Sequence, residues 1–263
     1  MRSISASVAL LGTLSGCFLF PPGTTADETG AADEPDEYED VGDFRLRWGS
    51  DGGYEDYADW TKEWLEGSND YLNEQYRLPI DIDIRHEKCG MENATWDGER
   101  ITMCYEMEAR VVELFDGALE TEEDILSASS AAWVFILFHE VGHGLIDVYG
   151  LPVPGREEDA VDSFSAVALI DGGAPDAVVY AALFWLLIEQ DSGGEPNFAD
   201  EHSMNMQRFY SLLCWVYGSD PRGYEYLVEI FPDLESRIAG GRCEAEYEQQ
   251  SDSWHELLEP WYQ

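Results

Sequence analysis

Of 263 residues, 55 are Asp or Glu and only 14 are Lys or Arg, a formal net charge of −41. A field of that sign repels phosphate backbones and anionic lipid headgroups, which excludes nucleic acid and an acidic membrane surface as partners. Hydrophobic residues still make up 44% and aromatics 13%, enough to bury one domain's core, and the length suits that domain plus processing segments.

The N-terminus reads as a processing signal. Arg2 precedes an apolar run from Ile4 to Leu14, too short for a permanent bilayer span. The run leads into Leu14-Ser15-Gly16-Cys17, which resembles the lipobox of bacterial lipoproteins. On that resemblance residues 1–16 form a signal peptide and Cys17 carries a lipid anchor outside the cytoplasm. Phe18 follows Cys17 where an Asp would signal inner-membrane retention, so an outer membrane is expected if the cell has two membranes. Residues 17–43 are expected to be an acidic disordered tether: Pro21-Pro22-Gly23 opens it, and Asp27 to Asp43 contains no basic residue.

A folded domain is expected over 44–263. Phe44 to Trp48 alternates as a strand. Tyr54 to Tyr76 reads as a helix with Tyr57, Trp60, Trp64 and Leu65 on one side. Leu78 to Arg85 sets Ile80, Ile82 and Ile84 against Asp81, Asp83 and Arg85, the pattern of a half-buried strand. Ala94 to Trp96 and Arg100 to Met103 flank Asp97-Gly98-Glu99 as a hairpin. Helices are predicted over 105–119 and 127–149, with another opening near Glu157 after Pro152, Pro154 and Gly155. Ala177 to Glu189 is apolar nearly all round and reads as a buried helix. The tail from Ser203 to Trp261 carries helical patches, with Trp215, Trp254 and Trp261 available for packing. The fold class is α+β, a small early sheet followed by helices.

Setting Cys17 aside leaves Cys89, Cys104, Cys214 and Cys243. Four cysteines in an oxidising compartment predict two disulfides. Of the three possible pairings, Cys89–Cys104 and Cys214–Cys243 keep each bond within one local segment. A thiolate metal site is the competing reading, but no CxxC spacing supports it.

The strongest chemical signal is His139-Glu140-Val141-Gly142-His143. On a helix, i and i+4 share a face, so His139 and His143 can ligate one Zn²⁺ while Glu140, beside the first ligand, reaches a metal-activated water as general base. The run Ala131 to Phe138 leads in as a buried helix, and polar groups emerging from such a run need partners. A third ligand is required. Metzincins would place Gly at 146 and His at 149, where this chain has Ile146 and Tyr149. Downstream, Glu158 and Asp162 are spaced i, i+4. Glu158 is the expected ligand, and Asp162 the acid accepting the other N–H of a ligand His. Glu157, which shares a face with apolar Val161, and Asp147 are the alternative ligands. His202 is a candidate for stabilising an oxyanion, oriented by Asp200. His86 and His255 are read as structural or surface residues.

An HExxH followed by an ExxxD helix is similar to the thermolysin-type gluzincins. More closely, Phe138 to Asp147 and Leu151 to Asp162 resemble a bacterial family of proposed metallopeptidases known as DUF4344. Glu92-Asn93-Ala94 through Ile101 to Glu106, and Asp200-Glu201-His202-Ser203 through Gln207 to Trp215, fit the same family pattern. The resemblance covers most of 87–262. It implies a zincin-like α+β fold and zinc held by His139, His143 and Glu158. In thermolysin-like enzymes a run similar to Asn93-Ala94-Thr95-Trp96 forms the edge strand that pairs with an extended peptide, which implies substrate contacts at Asn93 and Ala94; Thr95 stands where an aromatic is usual. The expected activity is hydrolysis of peptides by a monomeric zinc metallopeptidase. The rivals are a zinc hydrolase of a non-peptide amide, such as a cell-wall link, and a non-catalytic lipoprotein binding module.

Overall fold

The computed structural model describes residues 39–50, 52–193 and 202–263, and the side chains of 55–60 are not described. The expected leader, Cys17, most of the tether, Asp200, and the side chains of Tyr57 and Trp60 therefore lie outside the described residues.

Among the described residues, four strands form one mixed sheet in the order β1-β2-β4-β3. Strand β1 (Phe44–Trp48) leads into helix α1 (Glu55–Gln75), which returns the chain to β2 (Ile82–Glu87) parallel to β1. Strands β3 (Ala94–Trp96) and β4 (Arg100–Cys104) make the antiparallel hairpin, and β4 inserts beside β2 in parallel, leaving β3 at the edge. The period-2 pattern of β2 buries Ile82 and Ile84. Ile80 departs from the expected face. It precedes the strand and is 52% exposed, whereas Leu78 is buried and bridges Gly42.

Helices follow: α2 (Tyr105–Asp116), α3 (Glu122–Tyr149), α4 (Glu157–Asp171), α5 (Pro175–Asp191) and α6 (Asn205–Ser219), then short α7 (Tyr226–Ile230) and α8 (Glu235–Ile238), and α9 (Arg242–Leu258). Helix α3 begins earlier than its apolar pattern indicates. Thr121 caps it by accepting the Asp124 N–H at 3.1 Å, and Glu122, Glu123 and Asp124 suit the positive end of the helix dipole. It stops at Gly150, whose φ of 64° is the left-handed C-cap conformation that glycine adopts without strain.

Helix α3 is the axis of the domain, with α2, α4, α5, α1 and β3 packed around it. It is long and apolar enough to cross a membrane, yet 83% of its most apolar window is buried inside the protein, so it serves as the core helix. Gly142 lets α4 approach: a Cβ there would sit 2.9 Å from a Val161 methyl and 3.0 Å from the Phe164 ring. The disulfides join Cys89 to Cys104, bracing the β3–β4 hairpin, and Cys214 of α6 to Cys243 of α9. The C-terminus closes over the core, with the Trp254 indole donating to Ser163 Oγ at 2.9 Å and Trp261 stacked on Tyr149. The architecture is α+β, predominantly helical, with the small sheet at one side.

Candidate metal centre

The spacing of α3 sets His139 and His143 one turn apart, with ring centroids 5.0 Å from each other. The seven residues between Tyr149 and Glu157 turn the chain back, so that the first turn of α4 meets both rings. His139 Nε2 lies 3.1 Å from Glu158 Oε2, and His143 Nε2 lies 3.5 Å from Glu158 Oε1. One ligand atom from each of the three residues falls within 4.8 Å of the others. A tetrahedral ion with arms of about 2.1 Å needs ligand atoms about 3.4 Å apart. Two imidazole nitrogens and a carboxylate at these separations fit a small divalent cation.

The outer nitrogens are also occupied. His139 Nδ1 meets Asp162 Oδ1 at 2.9 Å. A proton on Nδ1 leaves the Nε2 lone pair facing Glu158, the tautomer a metal ligand requires. Asp162 in turn accepts from Arg208 Nε and Nη2 at 2.7 and 2.6 Å, and the guanidinium lies over the Trp185 ring at 3.5 Å. Sequence reasoning overlooked Arg208. Its signal was a lone cation among the apolar positions of α6, in a chain that has few cations at all. Glu157, weighed as an alternative ligand, instead meets His143 Nδ1 at 2.8 Å. Asp147, the other alternative, is not part of that group, and its Oδ2 accepts the Trp96 indole N–H at 3.1 Å.

Glu140 is buried beside the three candidate ligands, and its carboxylate accepts the Trp96 backbone N–H. That bond has a topological cause. Cys104 N–H donates to Asn93 O and Asp97 N–H to Arg100 O, which with the Thr95–Thr102 register makes the odd-numbered residues of β3 the ones bonded to β4. The N–H and C=O groups of Ala94 and Trp96 therefore point to the free edge. Trp96 spends its N–H on Glu140. Asn93, Ala94, Thr95 and Trp96 all line the same cleft as His139, Glu140, His143 and Glu158, a cavity of about 690 Å³, within the ~300–1,000 Å³ usual for ligand sites.

His202 also reaches this cleft. Its Nε2 is 3.0 Å from Glu158 Oε2 and its ring stacks 6.1 Å from that of His139. Asp200, expected to orient it, lies outside the described residues. Two contacts with the start of α4 fix its segment: Arg156 donates to the His202 carbonyl at 3.2 Å, and Ser203 Oγ donates to Asp159 at 2.5 Å. Neither contact was legible beforehand.

The local field is strongly negative. Burial would raise the Glu158 carboxyl, but hydrogen bonds from His139, His143 and His202 hold it well below the usual carboxylate range. Burial opposes charge on His143, yet Glu158 and Glu157 raise its imidazolium to about 9. Burial likewise disfavours the Asp162 anion, but the Arg208 charge, together with the His139 charge and hydrogen bonds from both residues, outweighs it, bringing the carboxyl down to about 2. Glu140 runs the other way, because burial raises it against the lowering effect of His139 and His143. A field that favours an imidazolium beside Glu158 favours a dication in the same place.

A family model described as "Putative metallopeptidase" matches residues 59–258, which contain every described residue of this centre. No curated protein and no solved structure matches the chain. With most of its length matched, the chain belongs to that family, DUF4344.

Proposed function

We propose that this chain is a zinc-dependent peptidase in which His139, His143 and Glu158 hold the ion and Glu140 is the general base. The observation that carries the reading is the convergence of two imidazoles and one carboxylate within 4.8 Å, beside a buried glutamate and under a free strand edge. Zinc in such a site supplies a water of lowered pKa and polarises a substrate carbonyl. The raised carboxyl of Glu140 suits a base that must later return its proton to the leaving amine. The Trp96 N–H steadies Glu140, and Asp162 with Arg208 fixes the tautomer and tilt of His139.

The free edge of β3 favours a peptide over other amides. Ala94 can offer an extended main chain the same pairing that β4 gives Thr95, with Asn93 beside it. His202 is the proposed donor to the developing oxyanion. The proposal extends to a zincin-type catalytic domain over 44–263, acting as a monomer. A signal peptide over 1–16, a lipid anchor on Cys17 and the acidic tether would hold it outside the cytoplasm; the tether, expected to run to 43, gives way to the fold by Val41 and Gly42, whose N–H groups donate to the Leu78 carbonyl. The two disulfides support that compartment.

Elemental analysis of the purified full chain beside its Glu140→Gln variant tests the core reading. One zinc per chain in both, with peptide hydrolysis in the wild type alone, is expected. A wild-type chain that takes up no metal at neutral pH, or a Glu140→Gln variant that hydrolyses peptides normally, would sink it.

A further inference from the structure

The cleft extends beyond the metal centre to the C-terminal half of α5 and the start of α6. Trp185 and Glu189 stand one turn apart on α5 and both line it, together with Met107 of α2 and Asn205 of α6. Asn205 Nδ2 donates to Glu189 Oε2 at 3.2 Å, so the carboxylate is held in place. The other lining glutamates are engaged at the metal centre: Glu158 among the imidazoles, Glu140 on the Trp96 N–H and Glu157 on His143. Glu189 makes no contact with that centre in the described structure. Arg208 is the only Lys or Arg among the described residues lining the cleft, and its guanidinium is committed to Asp162 on one side and to the face of Trp185 on another. This end of the cleft thus combines a thioether and an indole with one fixed carboxylate and offers no uncommitted cation.

We propose that Glu189 determines substrate specificity, and that the cleft selects a side chain with a long aliphatic stem and a terminal cation, Lys or Arg. The stem lies along Trp185 and Met107, as such stems do on apolar surfaces, and the charged head meets the Glu189 carboxylate. An acidic substrate side chain would leave its charge facing Glu189 with no available counter-ion. The inference rests on the peptidase reading, because it takes the cleft to be the place where a peptide lies.

Binding of blocked pentapeptides acetyl-Ala-Ala-Xaa-Ala-Ala-amide, with Xaa as Lys, norleucine or Glu, tests it by calorimetry. The protein is the full chain carrying Glu140→Gln, which prevents turnover. Norleucine keeps the stem of Lys and lacks its charge. The Lys peptide should bind about two- to fivefold tighter than the norleucine peptide, the range of a partly exposed ion pair. Glu189→Gln should bring the two together, and Glu189→Arg should make the Glu peptide the best ligand. Glu189→Gln shifts the chain's formal charge of −41 by a single unit, so a Lys preference that survives it comes from the general acidic field and overturns the assignment. Equal affinities for all three peptides, or no binding at millimolar concentration, overturn it as well. Digestion of the same peptides by the wild type is a separate readout. Preference in binding without cleavage upholds Glu189 and removes the peptidase reading, and cleavage without preference does the reverse.

Discussion

The indole N–H of Trp96, on the edge strand, donates to the Asp147 carboxylate, on α3, at 3.1 Å. The same tryptophan gives its backbone N–H to Glu140, and its ring lies against Gly144. Positions 140, 144 and 147 share one helix face, so a single residue of β3 is tied to α3 along two turns. Asp147→Leu should let the edge strand drift, and a misplacement near an ångström lowers kcat/KM by about tenfold or more. Asp147→Asn keeps a carbonyl acceptor and should retain most of the activity. Metal content should be normal in both variants. A metal-poor Asp147→Leu protein would mean that Asp147 serves the ion rather than the strand.

The two adjacent glutamates of α4 should separate cleanly. Glu158→Ala removes the carboxylate that meets both Nε2 atoms and should abolish tight metal binding. Glu157 touches only the outer nitrogen of His143 and is half exposed, so Glu157→Ala should weaken binding by a few fold. Asp162→Asn should fall between them, at about 10–100-fold, because it alters the tautomer control of His139. Competition with a fluorescent chelator ranks the three, and a metal-deficient Glu157→Ala with a competent Glu158→Ala would reverse the assignment.

Asp162 and Arg208 are each 5% exposed and hold one another through two hydrogen bonds. Arg208→Met leaves the buried carboxylate with His139 as its remaining partner, and should cost about 3 kcal/mol in urea unfolding of the metal-free chain. The double variant Asp162→Leu/Arg208→Met should recover much of that loss and still bind metal poorly, because His139 would lack its acceptor. A double variant no more stable than Arg208→Met would show that the pair does more than neutralise itself.

Gly142→Ala should act on the metal centre through packing alone. The added methyl meets Val161 and Phe164 at about 3 Å, and relieving such overpacking costs roughly 1–3 kcal/mol. Because α4 carries Glu158 a few residues earlier, the helix shift should also weaken metal affinity. Stability and affinity unchanged from wild type would mean that the α3–α4 contact is slack.

What was legible in the sequence follows the range of the interactions concerned. His139 and His143 are four residues apart on one helix, so periodicity alone sets them together, and Glu158 and Asp162 share a face for the same reason. The hairpin announced itself through its turn. Arg208 did not, since its partner lies 46 residues away and no local period links α4 to α6. The β1-β2-β4-β3 order was hidden too: alternation marks a strand, but it says nothing about which neighbour the strand takes. Ile80 was misplaced because alternation continues past the end of the ladder, where burial no longer follows it. The start of α3 does not show in the apolar pattern because Glu122, Glu123 and Asp124 are all acidic, and its cap is a threonine whose role depends on backbone geometry.

The short return from α3 to α4 has a kinetic consequence. His139 and Glu158 are separated by only 19 positions, and His143 lies between them. All three candidate ligands therefore sit on one helical hairpin, and bringing them together closes a small loop at low entropic cost. On the proposed reading, the ion would be captured by this hairpin before Arg208 and the disulfide-linked α6 and α9 have docked. The folding chain would then meet its metal early, and the ion itself would act as a folding ligand that draws the remaining helices onto an already ordered pair.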